Sequence, residues 1–397
     1  MQGSNRINVL EESETLAITK QVRALRAQGH DIVGLTLGEP DFDTPDHIRE
    51  AAKAAIDEGF THYPPVAGIP ALRQAIADKY QRQYGVSIGP KNTMVSTGAK
   101  QSLLNVIKVL VNPRDEVIIC SPFWVSYRQM LKMAEAEVID LQTQLENDYK
   151  PSIVALRQAI TPRTKMLVLN SPSNPTGSMY SRAELQALAD LLIEHPQVYL
   201  LSDEIYEHIT YGEEMVSMIE FPEIRDRTIV VNGVSKGFAM TGWRIGYAVA
   251  AEWIIQLCDK YQGQVTSGAS SISQRAALAA LNGPLAPTER MRDEFRRRRD
   301  WMAQELQAIP GLKSNHPPGA FYFYPDFSGF FGKTTPTGTT ITTIVQLCKY
   351  LLFEGNVAII PGTAFGTDNH ARISYAYSME ILEAGIQNLR TALLALR

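Results

Sequence analysis

Short runs of β-branched and aliphatic residues recur through the middle of the chain and predict five β-strands. Between them lie longer segments in which apolar residues recur every three or four positions, as in QSLLNVIKVLV (101–111) and RAELQALADLLIEH (182–195). Continuous apolar runs are typical of strands buried on both faces, and the longer segments of amphipathic helices that cover a mostly parallel sheet. The predicted architecture is therefore three-layer α/β. The predicted strands are EVIIC (116–120), EVIDL (137–141), KMLVLN (165–170), VYLLSD (198–203) and TIVVNG (228–233).

The pattern changes after about residue 285, where a long charged helix is predicted. After it come the aromatic segment NHPPGAFYFYPDFS (315–328), a helix near 340–354, strands at VAIIP (357–361) and ARISYAY (371–377), and a final helix. This order predicts a second, smaller α+β domain. Four consecutive arginines, 296–299, lie in the charged helix among acidic residues at helical spacing, and we expect them to form a solvated face.

Charge and cysteine content argue against several classes of protein. The 397 residues include 38 basic and 42 acidic side chains, a net charge of -4, so we expect no nucleic-acid or membrane partner. Cys120, Cys258 and Cys348 stand far apart, which predicts neither a disulfide framework nor a metal site. The N-terminus is polar and acidic, unlike a signal peptide, and no apolar run approaches the length of a membrane span. We therefore expect a cytoplasmic protein.

Polar and aromatic residues gather just after the predicted strands. Ligands of parallel α/β sheets collect at the carboxyl ends of the strands, because those ends meet at one edge. EVIIC runs into SPFW, KMLVLN into the turn SPSNPTG (171–177), VYLLS into DEIY, and TIVVNG into VSKGF. We therefore expect a single site that contains Trp124, Asn174, Asp203, Tyr206, Ser235, Lys236 and Arg244.

Four of these side chains suit a flat, polar aromatic ring. Trp124 offers the face of an indole for stacking, and a buried Asp203 would stabilise a protonated ring nitrogen. Asn174 and Tyr206 can donate hydrogen bonds to a ring oxygen. The ligand predicted from these groups is a pyridine that carries a hydroxyl group.

Lys236 and Arg244 suit the remaining parts of such a ligand. A desolvated lysine near other cations has a lowered pKa and attacks a carbonyl carbon as the neutral amine. Arg244 and Ser235 suit a phosphate, and so do the backbone N–H groups expected at Gly98 and Ala99, where a strand meets a helix. Ring nitrogen, ring oxygen, aldehyde and phosphate together describe pyridoxal 5′-phosphate (PLP).

Ten motifs in the chain then match one family in order along nearly its whole length. They resemble those of class I PLP-dependent aminotransferases of fold type I, and are most similar to the bacterial subgroup I-gamma aspartate aminotransferases. Each motif alone is weakly specific, but the set is highly specific. The motifs are GEPDFDTP (38–45), YPPVAGIPALRQAIA (63–77), TGAKQ (97–101), SPFWVSY (121–127), NSPSNPTG (170–177), SDEIYEH (202–208), SKGFAMTGWRIGY (235–247), GAFYFYPD (319–326), PGTAFG (361–366) and ARISYA (371–376).

The resemblance implies a role for each matching residue. Lys236 matches the lysine that binds PLP covalently, and it is expected to be catalytic together with Asp203. Tyr63 matches a tyrosine that reaches the phosphate bound by the neighbouring subunit, which implies a homodimer. The expected cofactor-binding residues are Gly98, Ala99, Lys100, Trp124, Asn174, Asp203, Tyr206, Ser235, Lys236, Arg244 and Tyr63 of the partner subunit. The expected substrate-binding residues are Gly38, Lys100, Trp124, Asn174 and Arg372.

The resemblance also implies an activity and a division of the chain. The expected reaction moves an amino group between an L-amino acid, aspartate or glutamate, and a 2-oxo acid such as 2-oxoglutarate. Lys100 is expected to contact the distal carboxylate of an acidic substrate, although a solvated lysine remains an alternative. We expect an N-terminal arm and small-domain segment over residues 1–45, a large PLP-binding domain over 46–285 and a small C-terminal domain over 286–397.

Other activities of the same fold remain open on the sequence alone. They are an aromatic or prephenate aminotransferase, a C–S lyase, and a non-enzymatic effector-binding domain. Regulators that contain such a domain carry a fused DNA-binding module, and we expect this chain to have no residues to spare for one. Some relatives that use prephenate carry a basic residue near the position of Glu11 or Glu12, and this departure counts against prephenate. Apolar Phe123, Phe321 and Tyr322 still leave room for aromatic substrates.

Overall fold

Twelve β-strands and thirteen α-helices form the part of the chain, residues 3–397, that the computed structural model describes. The strands are β1 (Val33–Gly34), β2 (Thr93–Ser96), β3 (Glu116–Ser121), β4 (Glu137–Gln142), β5 (Thr164–Asn170), β6 (Tyr199–Asp203), β7 (Thr228–Gly233), β8 (Gly246–Val249), β9 (Tyr322–Phe323), β10 (Val357–Ala358), β11 (Ile360–Pro361) and β12 (Ala371–Ser374). The helices are α1 (Asn5–Asn8), α2 (Glu14–Ala27), α3 (Asp46–Asp57), α4 (Pro70–Tyr84), α5 (Ala99–Leu110), α6 (Ser126–Met133), α7 (Ile153–Ala159), α8 (Arg182–Ile193), α9 (Glu252–Val265), α10 (Ser271–Asn282), α11 (Ala286–Gln307), α12 (Ile344–Phe353) and α13 (Met379–Leu394).

The central sheet has seven strands in the order β2-β8-β7-β6-β5-β3-β4. Only β8 runs antiparallel to its neighbours, so the sheet is mostly parallel, as predicted. The five strands predicted from apolar runs are all present, each within one residue of its predicted bounds. Asn170 of β5 lies beside Asp203 of β6, which lies beside Val231 of β7. The residues that follow these strands therefore meet at one edge of the sheet.

Helices cover both faces of the sheet because its strands are apolar on both sides. Ile118 of β3 packs with Leu188 and Leu192 of α8 on one face, whereas Val117 of the same strand packs with α5 on the other. Helix α8 begins at a capping box in which the Ser181 hydroxyl accepts from the Glu184 backbone N–H and the Glu184 carboxylate accepts from Ser181. Within residues 3–397, no helix is both long and apolar enough to span a bilayer.

The smaller sheets lie toward the carboxyl end of the chain. Strands β11, β12 and β9 form an antiparallel sheet, and β10 pairs in parallel with β1 from the N-terminal part of the chain. The prediction of a single strand over 357–361 is wrong, because β10 and β11 pair with different partners and Ile359 separates them. The strand predicted over 371–377 ends at Ser374, where the pairing with β9 stops. The domain boundaries after residues 45 and 285 remain a prediction.

The arginine run in α11 differs from the solvated face predicted for it. Arg297 is exposed and pairs with Glu294, as expected. Arg298 and Arg299 are buried instead, at 5% and 7% exposure. They are buried because their partners come from distant segments: Arg298 pairs with Asp41, and the Arg299 guanidinium donates to the Pro317 carbonyl. A helical spacing of acidic residues cannot reveal such remote partners.

Candidate active site

A cavity of about 310 Å³ lies at the carboxyl edge of the central sheet. It is lined by loops that follow β5, β6 and β7, by the start of α5, and by β12. A cavity of about 380 Å³ beside α7 and α8 is lined mainly by aliphatic side chains, so volume alone does not identify a functional site. Eleven of the predicted site residues meet in the first cavity, namely Gly38, Ala99, Lys100, Trp124, Asn174, Asp203, Tyr206, Ser235, Lys236, Arg244 and Arg372.

Lys236 lies in the loop after β7 and its ammonium group donates to the carbonyl of Gly38. Burial lowers the pKa of Lys236 to about 8 with the help of the nearby Arg372 and Arg244, whereas Glu39 and Asp203 oppose the shift. At pH 7 roughly a tenth of Lys236 is therefore a neutral amine, far more than for an ordinary lysine. A neutral amine is both a nucleophile and a base.

Asp203 stands at the end of β6 and is 4% exposed. Its Oδ2 accepts a hydrogen bond of 2.6 Å from the Tyr127 hydroxyl, and its Oδ1 accepts from the Ile205 N–H at 3.3 Å. Burial raises the pKa of Asp203 to about 6, although the bond from Tyr127 opposes the shift. A buried carboxylate of this kind gains from a cationic partner in the cavity.

Arg372 projects from β12 and is 3% exposed. Its Nη1 donates to the Asn174 Oδ1 at 2.9 Å, and its Nη2 donates to the Thr36 carbonyl at 2.6 Å. Its Nε has no hydrogen-bond partner among residues 3–397, and within that range no carboxylate lies in ion-pair contact with the guanidinium. The guanidinium packs on the Tyr322 ring, 4.6 Å from its centroid. This buried cation therefore lacks an anion, which a carboxylate ligand would supply.

Arg244 and the start of α5 form an anion-binding corner of the cavity. Gly98 caps α5 with φ +86°, and a Cβ there would overlap the Arg244 guanidinium. A Cβ at Gly246 would overlap the backbone of Ala99 in the same way. Two glycines thus let a guanidinium approach the first turn of a helix, where backbone N–H groups lack intrahelical partners. Ser235, 7% exposed, also lines the cavity and adds a hydroxyl.

Lys100 and Trp124 lie together on another wall. The Lys100 ammonium is 5.0 Å from the centroid of the Trp124 ring. Burial lowers the pKa of Lys100, and the charge of Arg244 adds to the shift. Of the salt bridges formed within residues 3–397, none involves Lys100. The cavity thus contains a second cation without an anionic partner.

The cavity as a whole is strongly positive. Lys100, Lys236, Arg244 and Arg372 contribute four basic side chains, and Asp203 is the acidic residue that faces them. Basic side chains outnumber acidic ones in the cavity lining, which favours a negatively charged ligand.

Comparisons with known proteins agree with this chemistry. The family described as "Aminotransferase class I and II" matches residues 30–389. An aspartate/prephenate aminotransferase from Cereibacter sphaeroides is 46% identical over 94% of this chain and 94% of its own. The protein belongs to the class I and II aminotransferase family.

Solved structures of other aminotransferases agree with this assignment. The aspartate aminotransferase of Rhizobium meliloti has a TM-score of 0.97 at 41% identity and covers all of both chains. The aspartate aminotransferase of Thermus thermophilus with maleate has a TM-score of 0.93 at 43% identity, over 99% of this chain and 100% of that one. The fold is therefore that of fold type I enzymes, and the protein is a PLP-dependent aminotransferase, as the sequence predicts.

The side chains of this aminotransferase fit PLP. Asp203 is a buried carboxylate that has no cationic partner at hydrogen-bond distance among residues 3–397, which suits a pyridinium nitrogen. The corner formed by Gly98, Arg244 and the first turn of α5 suits a phosphate. The lowered pKa of Lys236 suits covalent attachment to an aldehyde.

Two of the predicted site residues lie outside the cavity lining. Gly98 flanks the cavity and shapes it through its contact with Arg244. Tyr63 lies in the loop between α3 and α4 and is 97% exposed, and its hydroxyl has no hydrogen-bond partner in the part of the chain that the structure describes. An exposed aromatic ring of this size is typical of a protein interface.

Sequence reasoning missed several residues that shape the site. Tyr127, which donates to Asp203, belongs to the recognised motif SPFWVSY, yet nothing in the motif shows that its hydroxyl turns toward β6. From the sequence, Tyr322 is expected only to admit aromatic substrates, but its hydroxyl also shares a hydrogen bond of 2.8 Å with the Tyr206 hydroxyl, so Tyr206 is oriented by a residue of β9. Ser13 and Leu16, at and near the start of α2, also line the cavity.

The acidic residues just before α2 turn away from the cavity. The Glu11 carboxylate pairs with Lys132 at 2.7 Å, and the Glu12 carboxylate pairs with Lys20 at 2.6 Å. Neither glutamate lines the cavity. The departure from the prephenate pattern seen in the sequence therefore places no negative charge in the cavity.

Proposed function

We propose that this aminotransferase acts on acidic amino acids, moving the amino group of aspartate or glutamate to a 2-oxo acid such as 2-oxoglutarate. The observation that carries the proposal is the pair of unneutralised cations, Arg372 and Lys100, in the cavity that contains Lys236. Two cations suit the two carboxylates of a dicarboxylic substrate. The names of the relatives from Rhizobium meliloti and Thermus thermophilus, both aspartate aminotransferases, support the same substrate class.

PLP would be held by groups already in the cavity. Lys236 would bind it covalently, Asp203 would pair with its ring nitrogen, and Asn174 and Tyr206 would donate to its ring oxygen. Trp124 would stack on the ring. The phosphate would lie against Ser235, Arg244 and the first turn of α5. When bound, PLP supplies an electron-withdrawing ring that stabilises negative charge on the substrate Cα and carries the amino group between substrates.

Lys236 would move the proton during catalysis. Its amine, with the pKa lowered to about 8, would take a proton from the substrate Cα and would then donate a proton as the amino group is transferred. The carbonyl of Gly38 accepts a hydrogen bond from this amine and so orients it. Proton transfer by a positioned side chain contributes roughly 100-fold to 10,000-fold to a rate.

Arg372 would orient the substrate by its α-carboxylate. The guanidinium is fixed by Asn174, by Thr36 and by packing on Tyr322, so its direction is set before substrate binds. A carboxylate held in this way directs the Cα–H bond toward Lys236, and orientation of reacting groups accounts for a large part of catalysis in general.

Replacing Lys100 with serine is expected to discriminate between acidic and aromatic substrates. The variant loses the cation proposed for the distal carboxylate, so kcat/KM for aspartate and glutamate should fall about tenfold to 100-fold. For phenylalanine and tyrosine the change should be much smaller, because these substrates have no distal carboxylate. Lys108→Ser is the matched control, since Lys108 lies on the exposed side of the same helix. An equal loss for all four substrates would assign Lys100 to cofactor binding instead.

We also propose that the protein is a homodimer with shared active sites, because Tyr63 is almost fully exposed and matches an interface tyrosine of the family. Mixing Lys236→Ala with Tyr63→Ala subunits should restore activity to about a quarter of the wild-type level at limiting PLP, since half of the dimers are hybrids and each hybrid has one intact site. Activity of the mixture is compared with that of each parent.

The control for this complementation is a mixture of Lys236→Ala and Asp203→Asn subunits. These two residues line one cavity of one chain, so no hybrid dimer contains an intact site. Restoration in both mixtures, or in neither, would contradict shared sites. Full activity of a monomer in solution would contradict them as well.

A second candidate activity is transamination of prephenate. It is favoured by the name of the Cereibacter sphaeroides relative, an aspartate/prephenate aminotransferase, and by the position of Glu11 and Glu12 outside the cavity. Both substrate proposals are tested by one panel, in which aspartate, phenylalanine and tyrosine are each paired with 2-oxoglutarate, and glutamate is paired with oxaloacetate and with prephenate. The dicarboxylate proposal requires aspartate or glutamate to be the preferred donor. Prephenate use requires prephenate to accept the amino group of glutamate at a rate comparable with that of oxaloacetate.

The three cysteines support the proposal of a cytoplasmic location. Cys120, Cys258 and Cys348 are free thiols, and the latter two are buried. Unpaired cysteines are usual in reducing compartments.

A further inference from the structure

The buried arginine of α11 joins that helix to a segment beside the active site. Arg298 Nη1 donates to Asp41 Oδ1 at 2.7 Å, and its Nε donates to Glu294 Oε1 at 2.9 Å. The guanidinium also lies 5.2 Å from the centroid of the Phe42 ring. Neighbouring Arg297 pairs with the same glutamate but remains exposed. Arg298 thus differs from Arg297 in its contacts with residues 41 and 42 and in its packing on the Phe295 ring, 5.5 Å from the centroid.

Residues 36–44, the segment that receives this contact, contain no helix or strand. Their position is set by contacts to surrounding elements instead of by a hydrogen-bond ladder. On the small-sheet side, the Thr36 carbonyl accepts from Arg372 and the Leu37 N–H donates to the Tyr377 hydroxyl at 2.9 Å. The Gly38 carbonyl accepts from Lys236.

The far end of the 36–44 segment is joined to the loop that carries Lys236. Glu39 accepts from the Thr241 hydroxyl at 2.9 Å. The Thr44 hydroxyl donates to the Ala239 carbonyl at 2.7 Å and accepts from the Trp243 indole at 2.9 Å. The segment thus contacts both the lysine loop and the arginine that would bind the substrate carboxylate, and a shift in its backbone would reach both.

Arg298 anchors the middle of this segment. It is 5% exposed, and its charge is balanced by Asp41 and Glu294. Removing the guanidinium would leave Asp41 without its cation and Phe42 without the planar group that packs on it. Such charge-assisted contacts are stronger than neutral hydrogen bonds and are directional, so their loss would free the backbone at Gly38.

We propose that Arg298 is a positioning residue for the substrate α-carboxylate site, acting through Asp41 and Phe42 on the backbone of residues 36–38. This inference rests on the proposed function, in which Arg372 binds the α-carboxylate, and on the place of Gly38 beside it in the same cavity. Arg298 itself touches neither substrate nor cofactor. Its effect falls mainly on substrate binding, because Lys236 is also held by its own loop after β7, whereas the Thr36 and Gly38 carbonyls belong to the anchored segment.

The test compares Arg298→Met with Arg297→Met in the PLP-loaded enzyme. Methionine keeps an unbranched stem beside Phe42 and removes the charge. We expect Arg298→Met to raise KM for aspartate and the Kd for maleate, a non-reacting dicarboxylate, by about tenfold, which corresponds to the loss of one charge-assisted contact. The change in kcat should be about threefold or less, and Arg297→Met should bind maleate like the wild type.

Two further measurements separate positioning from a general loss of stability. In the cofactor-free protein, hydrogen exchange at the amides of residues 36–44 should become faster in Arg298→Met and stay unchanged in Arg297→Met. Arg298→Lys should recover part of the maleate affinity, since the lysine ammonium can still reach Asp41. Recovery should be incomplete, because lysine lacks the forked guanidinium that binds Asp41 and Glu294 together. Should Arg298→Met fail to fold, Asp41→Asn tests the same contact from the other side.

A double-mutant cycle gives the deciding result. If Arg298 acts through Asp41, the combined Arg298→Met and Asp41→Asn variant should bind maleate no more weakly than the worse single variant. Additive losses, or unchanged maleate affinity in a folded Arg298→Met, would overturn the inference. Failure of the proposed function is distinguishable, because it would appear as a wild-type enzyme that does not bind maleate.

Discussion

Lys236→Ala is expected to lower kcat for transamination of aspartate by more than about 10,000-fold. The variant loses both the nucleophile proposed to bind PLP and the base proposed to move the Cα proton, and no other lysine in the cavity can replace it. Lys100, the other cavity lysine, packs on Trp124 and is proposed to face the far end of the substrate. Steady-state turnover and exchange of the Cα hydrogen with solvent deuterium measure the loss.

Two controls accompany Lys236→Ala, namely the substitution of an exposed lysine and a measurement of PLP binding. Lys91→Ala removes a surface lysine, paired with Glu252 at 3.5 Å, and should leave kcat unchanged. The Lys236→Ala protein should still bind PLP without a covalent bond, through Asp203, Arg244 and the start of α5. Turnover of the variant within tenfold of the wild type, or loss of all PLP binding, would remove Lys236 from its proposed role.

Asp203→Asn is expected to lower kcat by roughly 1,000-fold, the upper part of the range for a group that stabilises charge in the transition state. Asparagine has nearly the same shape as aspartate but cannot neutralise a protonated ring nitrogen. Tyr127→Phe is the graded comparison, because it removes the hydrogen bond of 2.6 Å to Asp203 and leaves the carboxylate in place. Its effect on kcat should be about tenfold. Equal effects of the two substitutions would argue against a direct role for the Asp203 charge.

The same Asp203→Asn substitution should stabilise the cofactor-free protein at neutral pH. Burial raises the folded-state pKa of Asp203 to about 6, from an ordinary value of 3.8. A raised carboxyl pKa costs stability above pH 6, and this cost disappears as the pH falls through the window between these two values. At pH 7 the neutral amide of the variant avoids a cost of about 3 kcal/mol. Denaturant unfolding of the two cofactor-free proteins should therefore differ at pH 7 and converge near pH 4.

That stability cost also gives a physical reason for the position of Asp203. The buried carboxylate accepts from two hydrogen-bond donors, and the described residues place no cation at hydrogen-bond distance from it. Such an arrangement lowers the stability of the cofactor-free protein and strengthens its binding of a cationic ring. If Asp203→Asn lowered the stability of the cofactor-free protein at pH 7, the carboxylate would be serving the fold instead.

The central sheet could be predicted from the sequence because its strands are continuous apolar runs. Those strands differ from the amphipathic helices around them in periodicity, which is a local property of the chain. The position of Asp203 beside Asn170 then follows from the parallel arrangement, since both residues end neighbouring strands. The meeting of strand-end residues in one cavity could therefore be anticipated without knowledge of any side-chain contact.

Features that depend on remote partners could not be predicted in this way. Arg298 pairs with Asp41, 257 positions away, and only the fold brings them together. The interruption at Ile359 likewise depends on two different partner strands, β1 and β12. Tyr127 reaches Asp203 because of how α6 packs on the sheet. A local pattern of charges or apolar residues carries no information about such pairings.

Single turnover with L-aspartate in the absence of a 2-oxo acid tests the central claim, amino-group transfer at the Lys236 cavity, most directly. The enzyme loaded with PLP should release about one equivalent of oxaloacetate per subunit and no ammonia, because the amino group stays on the enzyme. Subsequent addition of 2-oxoglutarate should then release about one equivalent of glutamate and restore the initial absorbance of the cofactor. Release of ammonia, or failure of 2-oxoglutarate to recover the amino group, would contradict the account and favour a lyase.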